Sequence, residues 1–261
     1  MHPALLINQT GLAVQEHHLM AAAHNLANVS THGFKRNRAV VVDQFYRELR
    51  EAGAQADAQN LLPSGMQLGT GARVEGMQRL FTMGNVENTS QALDMAIIGP
   101  GFFQVQQPDG TSAYTRNGQF QLSADGQLVT AAGIPLEPSI IIPAGSSTVT
   151  VSSDGVVSVS MPGVVQPQVA GQLSLVNFTN PMGLRAMGGN LFVETEASGS
   201  PIEGVAGLGG MGALRQYALE SSNVEVVEEL VNLIMIQRAY EMNARAIDTS
   251  DKMLEFLVRH V

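Results

Sequence analysis

Between Pro3 and about Asn28 the apolar residues come in groups that repeat every seven positions: Leu5-Leu6-Ile7, Leu12-Ala13-Val14, Leu19-Met20-Ala21 and Leu26-Ala27. This recurrence predicts a helix. Neighbouring positions on a helix stand about 100° apart, so each triplet covers roughly 200° of the circumference, more than one partner helix shelters. Near the other terminus, Ser222-Asn223-Val224-Glu225 has the form of a capping box, in which a hydroxyl and a carboxylate satisfy each other's orphan amides. A long helix is expected to start there. Alternate steps of four and three give Val226, Leu230, Leu233, Gln237, Tyr240, Ala244, Ile247, Asp251, Leu254, Val258 and Val261, nine of the eleven apolar when Ala and Tyr are counted. That is the seam of coiled-coil packing, with Gln237 and Asp251 as candidates for setting register. Glu241 with Arg245, and Asp248 with Lys252, stand at i,i+4 on the solvated side. Two helices alone do not cover a 200° stripe, so burial against other copies of the chain is expected.

Between these ends the period shortens. Asp109-Gly110, Asn117-Gly118, Asp125-Gly126 and Asp154-Gly155 separate alternating runs such as Phe103-Gln104-Val105, Gln119-Phe120-Gln121-Leu122 and Val156-Val157-Ser158-Val159. An antiparallel β domain is expected over about 71–218. Residues 53–70, rich in Ala, Gln and Gly, read as a linker or extended loop. Asn37–Arg50 fits a helix through Val42, Phe45 and Leu49, or a strand through Val40-Val41-Val42. The expected fold is therefore α+β: long N- and C-terminal helices forming a coiled-coil-like helical domain, and an antiparallel, mainly-β central domain.

Composition removes several function classes. The 261 residues contain no cysteine, which excludes disulfides, thiolate metal sites and cysteine nucleophiles. A net charge of −9 argues against nucleic-acid binding as the main role. No apolar run reaches the roughly 18–20 residues of a membrane span, and the first cationic side chain is Lys35, so a protein that is cytosolic or exported without cleavage is expected. Residues 1–50 carry five basic and three acidic groups, 51–218 five and twelve, and 219–261 four and eight. Lys35, Arg36, Arg38, Arg47 and Arg50 could therefore face an acidic tail and orient contacts between copies, or simply be solvated.

Catalytic signatures are weak. Gly207-Leu208-Gly209-Gly210-Met211-Gly212 matches GxGxxG, but without a strand and helix around it the stretch reads as a flexible hinge before the last helix. His17, His18 and His24 lack the i,i+4 spacing of a helical zinc site, and with His2 and His32 they read as solvated or interface residues. Asp94, Glu137, Glu194 and Glu196 are the carboxylates available for general acid and base work, but no spacing singles them out. No catalytic, cofactor-binding or metal-binding residue is expected, and no cofactor.

Two motifs at opposite ends carry a resemblance. His24-Asn25-Leu26-Ala27-Asn28-Val29-Ser30-Thr31-His32-Gly33-Phe34-Lys35-Arg36 resembles the amino-terminal signature of bacterial flagellar rod and hook proteins. Glu220-Ser221-Ser222-Asn223-Val224, Glu228-Glu229-Leu230-Val231-Asn232-Leu233-Ile234 and Gln237-Arg238-Ala239-Tyr240-Glu241 are similar to the signature at the other end. Leu62–Gly71, Gly101-Phe102-Phe103-Gln104-Val105 and Ala113–Gly118 resemble the distal-rod branch of that family, whereas Tyr217 stands where many relatives are expected to have glycine. The motif positions that carry the likeness are Asn25, Leu26, Ala27, Asn28, Gly33, Phe34, Lys35, Asn223 and Val224.

The resemblance implies a non-enzymatic structural subunit of the distal rod in the flagellar basal body, self-assembling into a hollow helical drive shaft that carries torque from motor to hook. It implies export by the flagellar type III apparatus without a cleaved signal peptide, into a rod that spans the periplasm. The implied partners are the subunit itself, other rod proteins, the hook or its junction, surrounding bushing rings in a Gram-negative cell, and the export apparatus, with no nucleic acid and no membrane insertion. The implied organisation is a terminal helical domain of residues 1–30 and 222–261, a connector over 31–70 that bridges neighbouring subunits, and a β domain over 71–221. In such a polymer Leu5, Leu12, Leu19, Leu26, Val226, Leu230, Leu233, Tyr240, Ile247 and Leu254 are the expected subunit interface. The alternatives are another axial subunit of the proximal rod or hook, or a peptidoglycan-cleaving enzyme using a carboxylate pair.

Overall fold

A computed structural model describes residues 3–51, 55–57, 60–61, 64–163 and 166–259. Val261, at the end of the expected seam, and Leu62 and Pro63, at the start of the Leu62–Gly71 motif, lie outside the described residues, as does the side chain of Val258. The chain divides into two units: Met1–Ala27 with Asn37–Arg79 and Glu225–Val261, and Asn28–Arg36 with Leu80–Val224. It therefore passes from one unit to the other four times, after Ala27, Arg36, Arg79 and Val224.

The first unit contains helix α1 (Pro3–Ala27) and helix α2 (Val226–Arg259). They run antiparallel, since Asn25 near the end of α1 donates to Glu229 near the start of α2 while Gly11 lies against Asn243. An antiparallel ribbon, Asn37–Asp43 with Ala72–Arg79 and a bulge at Val40/Val41, packs on α1. The Ala72 amide donates to Thr10 Oγ1 at 3.2 Å. Next to it Gly71, at φ +126°, leaves the space that Thr10 fills. Tyr46–Arg50 with Met66–Gly69 extends the pairing, so the ambiguous Asn37–Arg50 stretch is strand.

The expected coiled-coil-like domain of two long helices is corrected by this geometry. Among the described residues there are two α-helices, of 25 and 34 residues, and a β ribbon shares α1 with α2. The sheltered side of α2 carries Glu229, Asn232, Ile236, Ala239, Asn243, Ala246 and Ser250, with Leu233, Ile247 and Leu254 at its margin. This is the expected seam displaced by one residue, which turns it about 100° around the helix. A coiled coil needs bulky apolar knobs along its seam. Here α2 turns mostly polar and small side chains toward α1, with Ile236 the one large apolar residue in the middle of that side; the buried positions of α1 are Val14, Ala21, Ala22 and Asn25.

The capping box is also absent. Helix α2 begins at Val226, after Ser222 Oγ has accepted the Val224 amide and Asn223 has been drawn into contacts of its own. Along α2, Asp248 and Lys252 pair at 2.6 Å, while Glu241 and Arg245 stand at 3.9 Å, both exposed and each contributing little.

The second unit is antiparallel β. Its largest sheet runs in the order Leu136–Glu137, Phe103–Gln106, Ser112–Thr115, Leu191–Val193 and Arg185–Gly188. A three-stranded sheet of Thr148–Val151, Val156–Ser160 and Gln168–Gln172 closes the main core, in which Val105, Val157 and Leu175 are fully buried. Phe81, Phe102, Tyr114, Phe178 and Phe192 form a second core of edge-to-face rings with centroids 4.8–6.0 Å apart.

Three of the Asp-Gly/Asn-Gly pairs turn hairpins as expected, with Gly110, Gly126 and Gly155 at positive φ. Asn117-Gly118 does not: it runs alongside Met95–Ile98, and a Cβ on Gly118 would stand 1.5 Å from the Met95 carbonyl oxygen. The Gly207–Gly212 stretch is a closed turn inside the β unit, tied by Gly207 N–H to the Gly212 carbonyl and Gly212 N–H to Pro100, rather than a hinge before the last helix. Strands Ala213–Gln216 and Ala218–Glu220 then pair with Met95–Ile98 and Val86–Asn88. Between them Tyr217 takes φ 56°, the left-handed conformation for which glycine is suited.

Candidate functional site

Three motifs far apart in sequence meet in the β unit. Lys35 Nζ donates to Glu220 Oε1 at 2.5 Å and to the Thr82 carbonyl at 2.8 Å. Arg116 sends Nε to Glu220 Oε2 at 2.9 Å, Nη1 to the Gly99 and Gly101 carbonyls at 2.9 and 2.6 Å, and Nη2 to Glu220 and the Ile97 carbonyl. The Gly84 amide completes the shell of Glu220 Oε1 at 3.0 Å. All three charged side chains are buried, which is tolerated because each is paired and hydrogen-bonded.

Backbone geometry makes the site possible. Gly33, at φ +72°, donates its amide to the Glu220 carbonyl, and a Cβ there would stand 2.7 Å from Arg116 backbone. Gly84 has the Ser221 carbonyl oxygen 2.1 Å from where a Cβ would be. Beside the triad, Asn223 Oδ1 accepts the Arg36 amide at 2.7 Å, and its Nδ2 donates to the Leu80 carbonyl and Thr82 Oγ1, both at 2.9 Å. The segments carrying Lys35, Thr82 and Asn223 are thus fastened to one another within a few residues of three of the four unit crossings.

Burial pushes the Lys35 ammonium below its ordinary pKa, against the pull of Glu220 and with the nearby Arg116 charge adding to the depression. For Glu220, burial alone would raise the pKa; the Arg116 and Lys35 charges and the donated hydrogen bonds outweigh it and hold the carboxyl below its ordinary value. The group stays ionised, bonded on both oxygens, with no free lone pair directed at a substrate. Its chemistry is cohesion.

The expected interface residues are all in the first unit. Leu19, Val226, Leu230 and Tyr240 are 39, 40, 46 and 49% exposed. Leu5, Leu12, Leu26, Leu233, Ile247 and Leu254 are half-buried. Of the motif residues, Asn25 is buried and clasps Asn37, accepting its amide and donating to its carbonyl at 2.8 and 2.9 Å. Asn28 Oδ1 accepts from Thr31 Oγ1, Phe34 and Val224 are buried, and Ala27 is exposed.

The residues the sequence reading passed over are Arg116 and Glu220, each inside a quoted motif, and Glu229 and Asn243 on α2. A signal was present for Glu220: one charge closing the apolar pair Ala218-Leu219 at a strand end. Of the basic cluster, Lys35 is internal, while Arg38, Arg47 and Arg50 are exposed.

The carboxylates considered for catalysis are dispersed. Glu137 Oε2 accepts from Gln104 at 2.9 Å, Asp94 is buried at an isolated bridge to Gln119, and Glu194 and Glu196 border a shallow polar hollow with Ser200. Among the described residues no group of three or more His, Asp and Glu is placed to hold a metal ion, and no helix is long and apolar enough to cross a membrane.

In comparison with known proteins, family models cover the central and carboxy-terminal motifs, and relatives cover the chain as a whole. The family described as "Flagellar hook protein FlgE/F/G D1 domain" matches residues 96–159, and that described as "Flagellar basal body rod FlgEFG protein C-terminal" matches 215–259. The flagellar basal-body rod protein FlgG of Buchnera aphidicola subsp. Acyrthosiphon pisum is 52% identical over 257 residues, 98% of this chain and 99% of the relative. FlgG of Bacillus subtilis is 34% identical over 90% of both chains. The flagellar hook protein FlgE of Salmonella typhimurium, by contrast, matches 36% of this chain and 23% of its own length, at 48% identity. Arg116 and the Glu220–Arg259 region fall inside the matched domains, and the rod proteins match from end to end: the chain belongs to the flagellar basal-body rod protein FlgG family.

Proposed function

We propose that this rod subunit forms the distal rod by polymerising with copies of itself through the open faces of α1 and α2, giving a hollow shaft that carries torque from motor to hook. The observation that carries the reading is the inversion on α2: mostly polar and small residues, with Ile236 among them, face α1, while Val226, Leu230, Val231 and Ile234 are exposed. Already about half covered, each such side chain gains on the order of 1 kcal/mol on completing its burial, and an assembly of copies supplies that burial. The subunit works by cohesion, not catalysis. Export without a cleaved leader, a place in the periplasm-spanning rod, and contacts with other rod proteins, the hook junction and surrounding rings follow from the same reading.

Leu230→Asp tests it. Placing a carboxylate on the open face should abolish polymerisation by the purified chain, seen by sedimentation and electron microscopy, while the near-ultraviolet signal of the β unit is unchanged. Normal polymers from that variant would count against the reading.

A further inference from the structure

The chain has 13 methionines and no cysteine, so thioethers carry its entire sulfur chemistry. On α2, Met235, Met242 and Met253 are 55, 65 and 64% exposed, whereas Met95 in the β core is 1% exposed. Met235 and Met242 are seven residues apart and fall on one line, about 10.5 Å along the axis. Met253, eleven residues further, returns to that line because eleven residues make close to three turns. Exposed Val231 and Phe256 extend the line, which runs along one margin of the open side, about 80° around the helix from Asn243.

We propose that Met235, Met242 and Met253 form an oxidant-sensitive site through which peroxide blocks self-assembly, an inference that rests on the assembly reading above. The sulfur lone pair attacks one peroxide oxygen. An S–O bond forms and the O–O bond breaks; the departing hydroxide takes up the proton carried by the oxygen now on sulfur and leaves as water. Sulfur loses two electrons and the peroxide gains them. A flexible apolar side chain suited to irregular contacts becomes polar and chiral, and the stripe resists burial by the next subunit. The modification is reversible by methionine sulfoxide reductases, one for each epimer.

The test begins with the soluble full-length chain and hydrogen peroxide, followed by peptide mass mapping. Met235, Met242 and Met253 should gain oxygen at least about tenfold faster than Met95, in line with the dependence of oxidation on exposure. In preformed polymer the three should be protected, while exposed Met182 and Met187 on the β unit serve as comparators. Oxidised subunits should fail to polymerise and recover after both reductases. The triple variant M235L/M242L/M253L should polymerise with or without peroxide.

Equal oxidation of Met95 and the three α2 methionines, normal polymerisation of the oxidised chain, or peroxide inhibition persisting in the triple variant would each overturn the proposal. If the untreated chain does not polymerise, the rod reading fails instead, and the oxidation map still decides whether these methionines are the reactive site.

Discussion

Glu220 is the one carboxylate between two buried cations, so its loss is expected to cost more than its hydrogen bonds suggest. Glu220→Gln leaves Lys35 and Arg116 facing each other in a dry environment, and about 3–5 kcal/mol of stability should be lost, read as a lowered denaturant midpoint. The pH dependence has a definite sign. Because the folded carboxyl titrates below its ordinary 4.5, the unfolded chain binds the proton first as pH falls. Its stabilisation is full above the ordinary carboxylate range and drains away through the folded value. Lys35 tilts the pH dependence the same way in a higher range: its depressed ammonium disfavours folding while protonated, and that penalty fades as pH rises toward 10.5. Denaturation midpoints measured across the acid range should therefore fall in the native chain and fall much less steeply in Glu220→Gln. Lys35 was visible in the sequence as a motif residue, but its partner lies 185 residues away, a distance no local pattern spans.

At the scale of elements, Asn25 shows how one amide holds three segments. It accepts the Asn37 amide and donates to the Asn37 carbonyl and to Glu229 Oε1, joining α1, the ribbon and α2. Asn25→Ala should leave buried partners unsatisfied and cost about 1–3 kcal/mol. Hydrogen exchange should locate that loss in α1 and Asn37–Asp43, with the sheet around Phe103–Gln106 unchanged. Both helices and three of the four hairpins were legible because their periods and turn residues act locally. The seam of α2 was misread by one residue because hydrophobic spacing reports every burial the sequence is shaped for, not the particular neighbour that shelters each face. Asn117-Gly118 was misread for a related reason: its glycine answers to a strand twenty residues earlier rather than to a turn.

For the whole molecule, the two units differ in what sustains them. The β unit has two closed cores, while the helices keep large apolar side chains exposed. Helices with little tertiary cover are marginal in water, so limited proteolysis of the monomer should trim both helices and spare the β unit, Asn28–Arg36 with Leu80–Val224. Polymerisation before digestion should protect the ends; trimming at the same rate in both states would contradict an assembly that covers α1 and α2.

The repeated passage of the chain between its units has a mechanical meaning. A single tether would concentrate any pull on one peptide strand, whereas four plies divide it, and three of them are spliced together by Lys35, Thr82, Glu220 and Asn223 close to where they leave the sheet.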